Sequence, residues 1–335
     1  MELKNIKKIL IVKPSSLGDI IHTLPFLSSI KSRFPTSELH WVIAKPYKDL
    51  LNLNPLINKL WIIDKDTWKK IKNIKDTLSE LNILFKNLKK EKFDLVIDLQ
   101  GLLRSGIITY ATNAPMRVGF DKAREGSKVF YTHKVKCPEN IHAIIKYLKV
   151  AEFLGCDVNK IAFPLKWDNS KSIMKEIPYK NYIVVIPSAR WKTKIWPPEK
   201  YGKLISLLPL KSIIVGSKED INIANRILFY SNNNAISLVG KTNLNQLIEI
   251  IRNAEFVISN DSGPMHIASA LNIPIVAIFG PTDPVKTGPY GKNHIVIKEK
   301  VSCSPCRKRS CEDMRCMKLL TVEKVYNTIM ERFNL

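Results

Sequence analysis

A chain of 335 residues with 45% hydrophobic side chains is long enough for two cored domains, and 25% charged residues without a low-complexity tract exclude wholesale disorder. The 53 basic and 30 acidic residues leave a net charge of +23, which either reflects a lysine-rich composition or serves an anionic partner. Zinc-finger histidines, RNP-type aromatics and a helix-turn-helix signature are missing, so no nucleic acid is expected among the partners.

Met1-Glu2-Leu3-Lys4 runs directly into an apolar strand without a cleavage-site pattern. No apolar run approaches the roughly 20 residues of a bilayer span, so the expected location is cytoplasmic. In chain order, Ile9–Val12 reads as a buried strand that breaks at Pro14 into "KPSSLGDIIH" (13–22) and re-enters an apolar helical pattern at Ile20, Ile21, Leu24 and Leu27. That turn has neither the glycine fingerprint of a dinucleotide site nor a Walker A lysine, and an acid in it would repel phosphate. Strands follow at Leu39–Ile43, Lys59–Ile63 and Leu95–Asp98. Between the last two, residues 66–93 form a helical stretch with Ile71, Ile74, Leu78, Leu81, Leu84 and Leu88 at spacings of three and four. The apolar-and-aromatic run Val129–Val135 precedes a helix around Ile141–Leu154.

After a polar segment with two prolines (163–180) the alternation restarts, with strands in the stretches 182–189, 211–217, 235–240, 256–261, 273–280 and 294–299. This is an α/β chain with parallel sheets: a first domain over 1–165, a linker over 166–180, a second domain over 181–320, and a C-terminal helix over 321–335 that packs back on the first. In open parallel sheets ligands gather at the carboxyl ends of the strands, which directs attention to the stretches just beyond them.

In "SNDSGPMHIASAL" (259–271), Asp261 and Ser262 are N-cap types, Gly263 permits close approach and Pro264 suits a first helical turn. The free N–H groups of that helix start form either an anion site or an ordinary cap. "FGPTDP" (279–284) adds a second turn of the same kind. "PSARWKTKIWPPEKY" places Ser188, Arg190, Lys192 and Lys194 after a strand and before a helix starting near Pro197 or Pro198, suiting either a diphosphate or a solvated basic loop. Glu219 and Asp220 follow another strand, a common position for a carboxylate that binds ribose hydroxyls. Asp19, in its Ser/Gly turn, is either a general base for an acceptor hydroxyl or an N-cap for a helix beginning near Ile20.

Together, "VKPSSLGDIIHTLP", "DLVIDLQGLLRSG", "KIWPPEKY", "SNDSGPMHIASAL" and "FGPTDP", in order from residue 12 to 284, closely resemble the bacterial lipopolysaccharide heptosyltransferases of glycosyltransferase family 9. "DKAREGS" (121–127) resembles a family segment on the acceptor side. The resemblance implies a GT-B fold, two Rossmann-like domains with parallel sheets facing across a cleft. The first would bind the acceptor and the second the ADP-sugar. It implies inverting, metal-independent transfer of L-glycero-D-manno-heptose from ADP-heptose to the Kdo–lipid A inner core.

The family's catalytic aspartate falls on Asp19 and its phosphate-binding lysine on Lys194, with Lys192 close by. Donor contacts fall on Ser188, Glu219, Asp261, Ser262, Gly263 and His266, and acceptor contacts on Ser15, Ser16, Gly18, Gln100, Arg104 and Arg124. Ala189 stands where the family has a second hydroxyl beside Ser188. The basic excess then serves peripheral contact at the cytosolic face of the inner membrane, where the acceptor carries phosphates and carboxylates. Other readings are a family-9 enzyme with another nucleotide sugar or acceptor, a GT-B-like sugar-nucleotide epimerase, and an idle binding protein. Finally, Cys303, Cys306, Cys311 and Cys316 crowd one segment, which suits a structural zinc, reduced thiols or a labile disulfide.

Overall fold

The computed structural model describes residues 5–64 and 74–335, without the side chains of 74–78. The chain divides into two compact units, 1–166 and 167–335. In the first, β1 (Lys8–Val12), α1 (Leu17–Arg33), β2 (Glu38–Ala44), β3 (Lys59–Ile63), α2 (Ile74–Lys90) and β4 (Leu95–Asp98) come first. After them follow α3 (Leu103–Ala111), β5 (Met116–Phe120), β6 (His133–Val135) and α4 (Ala143–Phe153). The sheet is wholly parallel in the order β3-β2-β1-β4-β5-β6. β1 is covered on both faces, so its unbroken Ile9-Leu10-Ile11-Val12 run is fully buried. Because β1 and β4 are neighbours, the switch point of this Rossmann-like order lies where the turns after Val12 and Asp98 emerge.

Two features of this sheet went unread in the sequence. β5, "MRVGF", escaped notice because Arg117 and Gly119 interrupt its apolar run. Arg117 is satisfied by donating to the carbonyls of Ala114 at 2.6 Å and Phe130 at 2.9 Å. Gly119 leaves room for the Tyr131 ring, which a Cβ there would meet at 2.3 Å. The run Val129–Val135 is not one strand: a 3₁₀ turn, Ser127–Phe130, follows Gly126 at φ +72°, and only His133–Val135 joins the sheet. Within 66–93, the expected helical positions Ile71, Ile74 and Leu78 lie outside the described residues or side chains; Leu88 is buried in the core beneath β1.

The second unit repeats the design with β7 (Tyr182–Ile186), α5 (Pro198–Leu207), β8 (Lys211–Ile214), α6 (Ile221–Tyr230), β9 (Ala235–Ser237), α7 (Leu244–Arg252) and β10 (Val257–Asn260). It continues with α8 (Gly263–Ala270), β11 (Ile275–Phe279), α9 (Pro284–Thr287), β12 (His294–Lys298), α10 (Arg315–Lys318) and α11 (Val322–Phe333). Its parallel order is β12-β11-β10-β7-β8-β9, with β7 and β10 at the centre. The segment 166–180, expected as a linker, runs along α7: the Asp168 N–H donates to Asn245 Oδ1 at 3.2 Å and the Ser172 hydroxyl to Glu249 Oε1 at 2.6 Å.

The C-terminal helix, expected to pack back on the first domain, is built into the second unit's own core. Val325 and Ile329, one turn apart on α11, are fully buried there, and the Phe333 ring stacks on Phe256 at 4.1 Å. One apolar stripe is all this helix has, and α5 with Phe256 consumes it. Among the described residues, no helix is long and apolar enough to cross a membrane.

At the amino edge of the first sheet, Glu91 bridges Lys8 of β1 at 2.8 Å and Lys59 of β3 at 2.6 Å. Hydrogen bonds from Lys59 and then Lys8 hold its pKa down at about 2. A depressed carboxylate stabilises the fold above its unfolded pKa, and the contribution disappears as pH falls from about 4.5 toward 2. Both lysines are partly exposed, so screening reduces the effect. Glu91→Gln is expected to cost about 1–2 kcal/mol at pH 7. In urea titrations at a series of pH values, that deficit should shrink as the pH is lowered through this window.

Candidate active site

The first unit's polar centre is built on the turn after β1. Ser16 is the N-cap of α1 and Asp19 sits at its third helical position, so the two form a capping box. The Ser16 N–H and hydroxyl both donate to Asp19 Oδ2, at 3.0 and 2.8 Å. The helix thus begins at Leu17, earlier than expected, and Asp19 is not the N-cap. Gly18 is buried within this first turn.

The other oxygen, Oδ1, faces two groups that sequence reading missed. The Tyr147 hydroxyl, from α4, donates to it at 3.4 Å, and Lys13 Nζ stands 3.9 Å away. Lys13 is buried, donates to the Leu99 carbonyl at 3.1 Å, and lies 5.0 Å from the centre of the Tyr147 ring. Burial lowers the Lys13 pKa, while the charges of Asp19 and then Asp98 oppose that shift. Burial also raises the Tyr147 pKa well above the ordinary phenol value, reinforced by Asp19, so the phenol is a hydrogen-bond donor at neutral pH. Asp19 itself keeps a side chain 40% exposed. Such a carboxylate is held in place yet open to a substrate.

Asp98, at the end of β4, organises the adjoining turn. Its Oδ1 accepts from the N–H groups of Gln100 and Gly101, and its Oδ2 from the Ser105 and Tyr131 hydroxyls, both at 2.7 Å. Burial raises its pKa and these hydrogen bonds limit the rise. The turn carries Gln100 and is met by Ser15 and Arg124, three of the acceptor residues expected from sequence. Gln100 Oε1 accepts the Ser15 N–H at 3.3 Å, and the Arg124 N–H donates to the carbonyl of Gly101, itself at φ +65°. Ser15, Ser16, Gly18, Asp19, Gln100 and Arg124 are therefore drawn to one switch point, while Arg104 stands exposed in the first turn of α3.

In the second unit the corresponding edge is cationic. Lys194 Nζ meets Asp261 Oδ2 at 2.7 Å, and both side chains are largely buried, 16% and 6% exposed. Ser262, not Asp261, is the N-cap of α8, with Gly263 and Pro264 opening the helix. Asp261 instead fixes the Lys194 ammonium beside that helix start, whose N–H groups carry positive partial charge. Lys192 is exposed, Ser188 is half-buried at the end of β7, and His266 is buried inside α8.

Buried Asn260 ties the loops together: its amide donates to the Pro187 carbonyl at 2.5 Å, and its Oδ1 accepts from the Trp196 N–H and the Tyr201 hydroxyl. Glu219 lies exposed in a 3₁₀ turn after β8, with its pKa lowered first by the Ser217 hydroxyl.

The cysteine-bearing segment braces this edge. The Thr193 hydroxyl donates to the Lys308 carbonyl and the Arg307 N–H to the Pro281 carbonyl, each at 2.8 Å, and Arg309 and Lys194 both lie over the Trp191 ring. Cys303, Cys306, Cys311 and Cys316 line a small space there as free thiols. Cys316 is buried within α10 while Cys303 and Cys311 are exposed, and among the described residues no group of three or more His, Cys, Asp or Glu side chains is placed to hold a metal ion. The zinc considered from sequence therefore has no ligand set in this arrangement.

The model of glycosyltransferase family 9 (heptosyltransferase) matches residues 82–316. Lipopolysaccharide heptosyltransferase 1 of Pseudomonas aeruginosa is 28% identical over 314 residues, 91% of this chain and 87% of its own. Among solved structures, a family 9 glycosyl transferase from Veillonella parvula superposes with a TM-score of 0.83 at 24% identity, covering 97% of each chain. The E. coli heptosyltransferase WaaC with ADP gives 0.80 at 25% identity, covering 97% of this chain and 99% of that one. Two Rossmann-like parallel-sheet units of GT-B-like fold, with a carboxylate-centred edge in one and a cationic edge in the other, place the chain in glycosyltransferase family 9, the heptosyltransferase family, and make it a glycosyltransferase.

Proposed function

We propose that the enzyme moves L-glycero-D-manno-heptose, with inversion, from ADP-heptose to the Kdo/heptose inner core of lipopolysaccharide, working at the cytosolic face of the inner membrane. Asp19 is the general base. The observation that carries this reading is the state of its carboxylate: Oδ2 is taken by the capping box and Oδ1 is turned toward Lys13 and Tyr147 in a half-open setting. Oδ1 takes the proton of the acceptor hydroxyl as its oxygen bonds to the anomeric carbon, and the bond from that carbon to the diphosphate oxygen breaks with the electron pair leaving on ADP. Lys194 and the N–H groups at the start of α8 stabilise the departing charge.

Ser188, Lys192, Glu219, Asp261, Ser262, Gly263 and His266 complete the donor side. Ser15, Ser16, Gly18, Gln100, Arg104 and Arg124 line the acceptor side. That the similar E. coli heptosyltransferase WaaC is solved with ADP supports an adenine nucleotide donor.

The test offers the purified enzyme ADP-heptose, UDP-glucose or GDP-mannose, each with a Kdo–lipid A acceptor, and follows nucleotide release and acceptor mass. ADP release with a heptose increment on the acceptor is expected. Transfer only from another nucleotide sugar would overturn the donor assignment, and an isomerised nucleotide sugar formed without acceptor would make the enzyme an epimerase.

Lys13 should set the pH dependence of this base. A buried cation 3.9 Å from a carboxylate favours the ionised form, so its removal makes the carboxylate harder to ionise. Lys13→Met is expected to move the acidic limb of the kcat/KM profile to higher pH and to lower the plateau roughly tenfold. A limb that stays in place would deny Lys13 this role.

A further inference from the structure

The first unit carries an apolar stripe that its own core does not use. Leu103, Ile107 and Tyr110 of α3 recur at i, i+4 and i+7 and so share one helix face. They are 45%, 39% and 61% exposed. The opposite side of α3 already packs Ser105, Gly106, Ile108 and Thr109 into the unit, so the apolar stripe is left facing water, unlike the outer face of an ordinary helix at a water boundary.

The 3₁₀ turn Ser127–Phe130 widens the stripe. The Phe130 ring packs 5.7 Å from that of Tyr110 and covers Gly106, where any Cβ would come within 2.6 Å of it. Beside it Val129 is 72% exposed. Cations rim the patch. Arg104, Arg124 and Lys128 are exposed, and the Arg117 guanidinium lies 5.6 Å from the centre of the Tyr110 ring. The neighbouring acid, Glu125, is engaged: its carboxylate accepts the Leu103 N–H at 3.0 Å.

We propose that this surface seats the enzyme on an anionic bilayer, with Leu103, Ile107, Tyr110 and Val129 entering the headgroup boundary and the surrounding cations meeting lipid phosphates. The inference rests on the reading that the acceptor is membrane-borne, and it names the surface that meets the membrane. An apolar face bordered by Lys and Arg is the pattern of interfacial binding, in which apolar burial and attraction to anionic lipid act together. Charge selects this occupant. A second copy of the chain would set Arg124 and Lys128 against their own equivalents, and a neutral apolar partner would bring them no counter-charge.

The experiment is co-sedimentation of the full chain with vesicles of phosphatidylglycerol and phosphatidylcholine in equal parts, and with phosphatidylcholine alone, at low and high salt. The wild type should sediment with the mixed vesicles at low salt and be released by high salt. The double variant Ile107→Ser, Val129→Ser should partition at least about tenfold less while retaining its melting temperature and its transfer rate to a water-soluble acceptor. Lys128→Glu, which leaves the apolar stripe intact, should weaken binding to the mixed vesicles only.

Undiminished partition of both variants would place the docking surface elsewhere and leave the membrane reading standing. Failure of the wild type to bind mixed vesicles would overturn the membrane reading and this surface with it. Self-association of the wild type in sedimentation equilibrium that the double variant abolishes, without any vesicle binding, would assign the patch to a second copy instead.

Discussion

Asp19→Asn is expected to fold like the wild type and to turn over roughly 10²–10⁴-fold more slowly, the range for loss of a positioned base. The substitution isolates the charge. An asparagine amide oxygen can still accept the Ser16 N–H in the capping box, so the start of α1 survives. What is lost is a proton acceptor at Oδ1 and the counter-charge to Lys13. Donor affinity, measured by calorimetry with ADP-heptose, should change little, because the diphosphate is assigned to the other unit's cationic edge. A folded Asp19→Asn enzyme with near-normal turnover would reduce this aspartate to a capping residue.

Lys194→Ala should damage both binding and chemistry. The ammonium is the cation fixed beside the start of α8, and leaving-group stabilisation by one such group is worth about 10²–10³ in rate. Both ADP affinity and kcat should fall, in contrast to Asp19→Asn. A stability effect accompanies it. Lys194 and Asp261 are 2.7 Å apart and largely buried, so removing the lysine strands a carboxylate; the loss is roughly 2–3 kcal/mol. Lys194→Ala combined with Asp261→Asn removes the stranded charge and should recover most of the melting temperature while transfer stays low. If the double variant recovered transfer as well, Lys194 would be a structural partner only.

The alternation of strands and helices was legible because each central strand is covered on both faces and therefore reads as an unbroken apolar run, as in Ile9–Val12 and Ile275–Phe279. The strand β5 was not, since Arg117 and Gly119 answer to neighbours in space, the Phe130 carbonyl and the Tyr131 ring. The C-terminal helix was foreseen, but its packing was not: an apolar stripe announces that a helix must be covered without naming the surface that covers it.

The site divides along the same line. Asp19, Lys194, Asp261 and Gly263 stand in turns after strands, where backbone sterics and capping chemistry restrict the choice of residue, so local sequence marks them by itself. Their pairings carry no local mark. Tyr147 reaches Asp19 across 128 residues and Lys194 reaches Asp261 across 67, while Lys13 reads in sequence as one more lysine at a strand end. The sequence alone determined the two parallel-sheet units, the family and the residues at the strand ends. Only the tertiary structure decided that Asp19 sits third in a capping box facing a buried lysine, and that Asp261 holds Lys194 rather than capping α8. Such pairings depend on which strands become neighbours, and that is set by packing of the whole sheet rather than by any local preference.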